Sequence, residues 1–305
     1  MISINLLQVF FWTFRRRERD VVNLYNSLSP LMQLATDNNM LNFGYWKNNT
    51  ADPLEAQNEL CKLVGNMAKL DSASIVLDVG SGFSVPATYW KSQYKNINIT
   101  CININFQQLA LSTKLVSNNI SDMKEKSYAL LQTDDVGFVN ATSTSLPIPN
   151  KSVDRIIALE SAQHFRPLNQ FITESKKALK NNGMLIIAMP VTKIPSKLVS
   201  FMKLGILSLT WASEHYNLDY VKSAIINGGF QISEIQSIGT YVYNPLADYY
   251  IKNRKRLRER ILKKYSSYLE NILYRSLLKM KQSSQGRIID YVLMKCMLND
   301  VSYDK

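Results

Sequence analysis

The fold is decided by the stretch IVLDVGSGFS, residues 75–84, in which an apolar run meets an acid and then two glycines spaced one apart. The run does not alternate with polar residues, which predicts a strand buried on both faces of a parallel sheet. Asp78 and the turn Gly80-Ser81-Gly82 then fall where that strand leads into a helix, and ligands of open α/β sheets bind at this edge. The glycines admit a close backbone approach, and free N–H groups at the next helix start favour an anionic group.

Further strands alternate with helices along the rest of the chain. This rhythm predicts an α/β fold with a doubly wound, Rossmann-like sheet of seven strands. The predicted strands cover 75–79, 98–105, 136–142, 152–160, 184–190, 231–240 and 287–298. The predicted helices cover 86–94, 106–120, 168–181 (ended by Gly183), 195–212, a helix ending at 227–230, and a basic helical segment over about 245–283.

The chain is expected to form one domain with helical additions. Residues 1–70 read as an N-terminal helical lid, and Asp52-Pro53 marks a helix start with Asp as the N-cap. Residues 71–190 carry the ligand-binding α/β core. Residues 191–305 complete the core sheet and add helical insertions that cap a substrate.

The charge of the chain is strongly positive and unevenly distributed. A formal charge of +12 accompanies a basic segment, residues 251–264, with eight Lys or Arg against one Glu. Nucleic acid, an anionic membrane surface or a phosphorylated substrate could use this segment, and a solvated helix face is the alternative. The three cysteines are scattered and give neither a disulfide framework nor a zinc motif, so a cytoplasmic protein is expected.

The first twenty residues contain an apolar stripe followed by arginines. Ile4, Leu7, Phe11 and Phe14 recur at helical spacing, with Phe10 beside them. The stretch is too short to span a bilayer, and its charges follow the apolar run, unlike those of a secretory signal. The stripe is expected to pack on the protein's own core. Two alternatives are that it covers a pocket or that it lies on a membrane surface.

The glycine turn does not match a dinucleotide site. The fingerprint G-x-G-x-x-G requires a third glycine, and Val85 followed by Pro86 stands there. The sequence therefore disfavours NAD as the ligand.

Five stretches, in the right order, give the chain its family resemblance. VLDVGSGFS (76–84) resembles motif I of the class I S-adenosylmethionine (SAM)-dependent methyltransferases. The blocks 146–165 and 178–190 are similar to that family's fourth and fifth strands. CININFQQLA (101–110) and NFGYW (42–46) resemble the small-molecule, cyclopropane-synthase-like and natural-product branch. The resemblance implies a Rossmann-like methyltransferase fold with SAM as cofactor.

The resemblance also implies a set of cofactor-binding residues. Gly80 and Gly82 would admit the methionyl part of SAM, while Asp78 would organise the turn and the bound amino group. Asn103 stands where many members have an acid for the ribose, and an amide loses the charge-assisted part of that bond. Ser84 replaces the usual third glycine. The full set expected to bind the cofactor is Asp78, Gly80, Ser81, Gly82, Asn103, Gln108, Thr142, Ser143 and Glu160.

Three residues are candidates for catalysis. His164 lies where similar enzymes place a catalytic histidine, and a reference pKa of about 6.5 suits it to accept a hydroxyl proton. The alternative is a histidine that only caps or packs in the turn 162–165. Glu160 would hydrogen-bond the substrate or a backbone turn at the strand end or, if the acceptor is an alkene carbon, remove a proton after its methylation. Tyr45 could close over the methyl donor from the lid, with packing in the lid as the alternative. His215 has no such context and is expected to be structural.

These features predict a methyltransferase that acts on a lipophilic small molecule, with O-methylation ahead of C-methylation. The alternatives are C-methylation of a prenyl diphosphate held by the basic segment and a non-catalytic membrane-peripheral protein. Residues 158–161, Ala-Leu-Glu-Ser, replace the Asn/Asp-Pro-Pro-aromatic motif of enzymes that methylate base amino groups, so no nucleic acid is expected. Peripheral membrane contact through residues 1–20 and homodimer formation stay open. No metal is expected.

Overall fold

A computed structural model describes residues 6–47, 50, 52–122, 136–194, 202–210 and 213–298. Within these ranges no helix is long and apolar enough to cross a membrane. Seven strands form one sheet in the order β3-β2-β1-β4-β5-β7-β6. Strands β1 to β5 pair in parallel, with β1 between β2 and β4. The strands are β1 (Ile75–Val79), β2 (Asn98–Asn103), β3 (Val136–Asn140), β4 (Val153–Leu159), β5 (Leu179–Thr192), β6 (Phe230–Ser237) and β7 (Ile289–Leu298).

Helices connect the strands and extend the chain at both ends. They are α1 (Leu6–Arg15), α2 (Glu18–Thr36), α3 (Pro53–Met67), α4 (Val85–Gln93), α5 (Phe106–Asp122), α6 (Leu168–Ala178), α7 (Leu207–Thr210), α8 (Leu218–Asn227), α9 (Gly239–Leu262) and α10 (Ser267–Gln285). The helix start at Asp52 is confirmed, because its Oδ1 accepts a hydrogen bond from Glu55 N at 3.0 Å. The expected seven-stranded, Rossmann-like fold is confirmed.

Several element boundaries were predicted wrongly: β5 begins at Leu179 rather than at 184, and α9 begins at Gly239, inside the strand expected over 231–240. The helix expected over 168–181 ends at Ala178, because the chain then enters β5 and pairs Leu179 with Val153. Gly183 therefore lies inside a strand rather than ending a helix. The basic helical segment is broken between Leu262 and Ser267 into α9 and α10. Of the helix expected over 195–212, residues 195–201 and 211–212 lie outside the described residues, and α7 falls within the remainder.

The described residues form two compact units, each built from several stretches of chain. Unit 1 draws on 1–60, 190–218 and 237–291, and unit 2 draws on 61–189, 219–236 and 292–305. Unit 2 holds β1 to β4 and the main part of the sheet. An apolar core in unit 1 joins α2, α9 and α10 around Trp46. How function divides among the N-terminal lid, the core and the substrate cap stays a prediction.

The arginines of the basic segment are engaged in ion pairs within unit 1. Glu270 is fully buried and accepts bonds from Arg254 at 2.8 and 3.0 Å and from the Tyr250 hydroxyl at 3.1 Å. Arg258 adds an ion pair at 3.4 Å. Burial by itself would raise the pKa of Glu270, but these donors and charges lower it below its usual value. Arg254 and Arg258 of the segment therefore connect α9 to α10 through Glu270.

We expect Glu270→Gln to lower the free energy of unfolding by about 2 kcal/mol, because it leaves two guanidinium groups without their carboxylate. The loss stays below that of a fully buried ion pair because water reaches part of the Arg254 and Arg258 side chains. Asp37→Asn is the matched control, since the exposed Asp37 accepts from Arg260 at 2.5 Å. That change should cost less than about 1 kcal/mol. Urea unfolding of both variants measures the difference, and equal losses would contradict the ranking.

The apolar stripe at the amino terminus is partly exposed. Phe11 and Phe14 are 52% and 53% exposed on α1, so for these two residues the expected packing into the core is wrong. Arg15 lies over the Phe11 ring at 5.8 Å, which shields part of that face. Ile4 lies outside the described residues, and so do the side chains of Leu7 and Phe10.

Candidate active site

Most of the predicted site residues in unit 2 gather at one edge of the sheet. Asp78 lies next to the end of β1, Asn103 ends β2 and Glu160 directly follows β4. The register pairs Asp78 with Cys101 on β2 and with Ile157 on β4. Because the three strands are parallel neighbours, their carboxyl ends open at the same edge, where ligands of such sheets bind.

The turn after β1 is held by backbone bonds. Gly80, Gly82 and Ser84 all adopt left-handed conformations, with φ of 77°, 57° and 56°. The N–H groups of Gly80 and Ser81 both donate to Ile102 O, at 2.7 and 3.2 Å. These two N–H groups precede α4, so the free N–H groups expected at the start of that helix stay a prediction. The buried Ser84, in place of a third glycine, donates to Ser81 Oγ at 3.0 Å.

Gly80 is also required by the side chain opposite it. A Cβ at this position would lie 2.4 Å from Ser161 Cβ and 2.9 Å from Ser161 Oγ. Ser161 cannot withdraw easily, because its buried hydroxyl donates to Val79 O at 2.6 Å. The turns that follow β1 and β4 therefore pack closely because Gly80 leaves room for the Ser161 side chain.

We expect Gly80→Ala to lower the free energy of unfolding by about 2–3 kcal/mol, because a Cβ adds both a clash and strain at a positive φ. Chemical denaturation measures the loss. The double variant Gly80→Ala/Ser161→Gly should recover the part that comes from the clash and leave the part that comes from φ. No recovery in the double variant would contradict the steric explanation.

Asp78 is a buried carboxylate with an unused acceptor. Its side chain is 2% exposed, and Oδ2 has no hydrogen-bond partner among the described residues. Burial raises the pKa of Asp78 to about 7. Burial also raises the pKa of the neighbouring Cys101 thiol, and the charge of Asp78 adds to this effect. An uncompensated buried carboxylate is costly, so this position suits a ligand that brings a cationic amino group.

Asn103 acts as a donor within the site. Its Nδ2 donates to Gly82 O and to Gln108 Oε1, both at 3.0 Å, while its Oδ1 accepts from Asn105 N at 3.1 Å. The backbone N–H of Asn105 can only face an oxygen, which fixes the orientation of the amide. A carboxylate could not make the two donor bonds. The amide therefore links the glycine turn to the start of α5.

Thr142 and Ser143 lie in the loop after β3 and are half-buried. Thr142 Oγ1 is 3.0 Å from Thr144 Oγ1 and accepts from Thr144 N at 3.4 Å. Asn140, which the sequence did not single out, ends β3 and donates to the carbonyls of Asn103 and Ile104 at 2.8 and 3.0 Å. It ties the end of β3 to the turn that carries Asn103.

The turn after β4 carries the two predicted catalytic residues of unit 2. Glu160 has a positive φ of 51°, which is unusual for a residue with a long side chain and is typical of functional turns. His164 is half-buried in a short 3-10 turn, with its N–H donating to Ser161 O at 2.9 Å.

Gln163 is a site residue that sequence reasoning missed. Its Nε2 donates to Glu160 O at 2.6 Å and lies 3.3 Å from His164 Nε2. An amide donor in this place requires an unprotonated Nε2 on His164, and the ring proton then sits on Nδ1. In the sequence, only its position directly before His164 could have indicated a place in the site.

Tyr45 and His215 belong to unit 1. The Tyr45 ring packs edge-to-face with Tyr241, with centroids 5.7 Å apart. His215 Nδ1 lies 3.1 Å from Ser213 Oγ, and the His215 carbonyl accepts from Thr192 Oγ1 at 3.3 Å. These contacts agree with the structural role expected for His215.

Comparisons with known proteins support the same family. A family profile described as a methyltransferase domain matches residues 77–187. The erythromycin 3''-O-methyltransferase of Saccharopolyspora erythraea is 24% identical over 271 residues, which cover 85% of this chain and 82% of that protein.

Two solved structures share the fold at low identity. The [4+2]-cyclase SpnF superposes with a TM-score of 0.73 and 18% identity, covering 92% of this chain and 96% of that one. The cyclopropane synthase MmaA2 of Mycobacterium tuberculosis gives 0.70 and 16%, covering 97% of this chain and 99% of that one. The chain therefore carries a methyltransferase domain, and the matched domain, the fold and the relative support a class I SAM-dependent methyltransferase of the small-molecule branch, with SAM as its cofactor.

Proposed function

We propose that this enzyme transfers the methyl group of SAM to a hydroxyl group of a lipophilic small molecule, with His164 as the general base. The observation that carries this proposal is the place of His164 in unit 2, in the turn after β4, the strand that pairs with the strand of Asp78. The named relative, which methylates an oxygen, supports an oxygen acceptor. The cyclase among the fold neighbours is a reminder that fold alone does not assign the reaction.

The residues at the edge of the sheet fit the cofactor. The unpartnered Oδ2 of Asp78 would accept a bond from the amino group, and Gly80 and Gly82 would let the backbone approach. Asn103 and Gln108 would face the ribose with amide groups. Ser81, Thr142, Ser143 and Glu160 complete the proposed set. When bound, SAM supplies a methyl group on a sulfonium centre.

His164 would act on the acceptor hydroxyl. Its Nε2 carries a lone pair, which accepts a long hydrogen bond of 3.3 Å from Gln163 Nε2. The acceptor hydroxyl would replace that donor and pass its proton to His164 Nε2, which would leave the acceptor oxygen ready for the methyl group that the cofactor supplies. Holding the two reactants in line contributes most of the rate, and the base contributes about 100- to 10,000-fold. Tyr45 is proposed to help exclude water.

C-methylation with Glu160 as the base is the second candidate. The left-handed backbone at Glu160 favours it, because such strain concentrates at functional sites. The version with a prenyl diphosphate has less support, since the arginines of the basic segment bind Glu270 and Asp37. Methyltransferase membership sets aside the non-catalytic alternative.

Peripheral membrane contact through residues 1–20 stays a separate proposal. The exposed Phe11 and Phe14 support it, as do the arginines that follow them. Cosedimentation with anionic vesicles should depend on both phenylalanines, and binding that survives Phe11→Ser/Phe14→Ser would contradict it. Homodimer formation is tested by light scattering of the full chain.

The acceptor class is tested with labelled SAM. Purified enzyme would be incubated with matched acceptors: lipophilic alcohols, their deoxy analogues, and a prenyl diphosphate with and without inorganic pyrophosphate. Transfer to the alcohols but not to the deoxy analogues supports O-methylation. Transfer to the prenyl diphosphate that pyrophosphate inhibits would replace the leading proposal with the second one. A thermal shift with SAM and its demethylated product confirms that the preparation binds the cofactor.

A further inference from the structure

The segment Phe43–Lys47 in unit 1 is anchored to two helices by its backbone. Tyr45 N donates to Ala56 O in α3 at 2.8 Å, and Trp46 N donates to Tyr241 O in α9 at 2.8 Å. Two successive N–H groups therefore point to carbonyls of two different helices. This arrangement fixes the backbone on both sides of the Tyr45 side chain.

The carbonyl of Tyr241 is available because of a proline. Inside a helix, a carbonyl accepts from the N–H group four residues later, which here is residue 245. Pro245 lies inside α9 and has no N–H group, so the intrahelical bond cannot form. Trp46 N takes the place of that missing donor.

Side-chain packing holds the same segment. The Tyr45 ring packs edge-to-face on the ring of Tyr241, the residue whose carbonyl binds Trp46. Trp46 is buried, its indole donates to Phe43 O at 3.1 Å, and its ring lies 5.7 Å from that of Tyr249. Gly44 has a φ of 83°, and a Cβ there would lie 2.7 Å from Ala56 Cβ.

We propose that Pro245 is a positioning residue for Tyr45. By removing one N–H group from α9, it reserves the Tyr241 carbonyl for Trp46 and thereby sets the orientation of the neighbouring tyrosine. The inference rests on the proposed function, which assigns Tyr45 to catalysis. Pro245 itself touches neither substrate nor cofactor in this role.

The test compares Pro245→Ala with Pro30→Ala. Both changes restore an N–H group within a helix of unit 1, but Pro30 lies in α2. Amide hydrogen exchange is measured at Trp46, and kcat and KM are measured with the acceptor found by the labelled-SAM assay. In Pro245→Ala the new N–H group competes for the Tyr241 carbonyl. Exchange at Trp46 should then rise about tenfold, with a fall in kcat and little change in KM for SAM. Pro30→Ala should leave all three unchanged.

Further outcomes separate this inference from the proposed function. Unchanged exchange at Trp46 in Pro245→Ala would overturn the inference. Faster exchange with unchanged kcat would also overturn it, because the anchor would then serve folding rather than catalysis. Tyr241→Phe keeps both the ring and the carbonyl, so a loss of kcat in that variant would count against it too. An enzyme that methylates no acceptor would refute the proposed function, whereas exchange at Trp46 would still report on the anchor.

Discussion

Replacing Asp78 with asparagine is expected to stabilise the ligand-free protein at pH 8 and to weaken SAM binding by roughly 100-fold. The two effects have one cause. The carboxylate is buried, and its Oδ2 is unpartnered among the described residues, so its charge costs stability until a cation neutralises it. An asparagine removes that cost, but it also removes the charge-assisted bond to the amino group of SAM.

The pH dependence of the wild-type protein follows from the raised pKa. Burial moves the pKa of Asp78 from 3.8 to about 7 in the folded state. Between these values the folded protein holds more protons than the unfolded chain, so stability falls as the pH rises toward 7 and stays low above it. The difference reaches about 4 kcal/mol. SAM affinity should change the other way and increase as the pH rises through 7, because the ionised carboxylate binds the amino group.

Asp154 provides the matched control for Asp78, because it lies in the same unit and both of its carboxylate oxygens accept hydrogen bonds. It accepts from Ser74 N, Ile75 N and Lys180 Nζ at 2.7 to 3.0 Å. Burial by itself would raise the pKa of Asp154, but these donors hold it below its usual value. Asp154→Asn should therefore lower the melting temperature at pH 8, and calorimetry with SAM titration measures both variants. A destabilised Asp78→Asn that binds SAM normally would contradict the assignment.

His164→Ala is expected to lower kcat by about 100- to 10,000-fold with SAM affinity unchanged. The imidazole is the proposed acceptor of the hydroxyl proton, and, apart from Glu160, the proposed cofactor residues lie at the ends of the other strands. Single-turnover rates with labelled SAM measure the loss, and isothermal titration checks SAM binding.

The chain supplies its own control for this histidine. His215 is the only other histidine in the sequence, and it contacts Ser213 and Thr192 in unit 1. His215→Ala should leave kcat within about threefold of the wild type, since no proton transfer depends on it. Glu160→Gln separates the two chemistries. If that variant loses turnover while His164→Ala keeps it, oxygen transfer is excluded and carbon transfer is favoured.

The core of the fold could be predicted from local sequence signals. Strand β1 spans the predicted residues 75–79, because an unbroken apolar run next to a glycine turn leaves few alternatives. The start of α3 followed from the Asp-Pro pair. The end of α6 could not be predicted, because strand pairing with Val153, not a local breaker, ends the helix.

The partners of the charged residues in the basic segment were also beyond sequence reasoning. Asp37 lies more than 200 residues before Arg256 and Arg260, and only the folded unit brings them together. The site shows the same limit. Asp78 was evident from its place beside the glycines, but the bonds of Asn103 to Gly82 and Gln108 depend on the register of two strands and a helix.

The bonds of Asn103 explain why the acid that many family members carry at this position could not simply be restored here. An aspartate would direct lone pairs at the Gly82 carbonyl and the Gln108 amide oxygen, which now accept hydrogen bonds from Asn103, so both bonds would be lost. An acid at position 103 would therefore require Gln108 to turn its amide, and it would leave the Gly82 carbonyl without its side-chain donor.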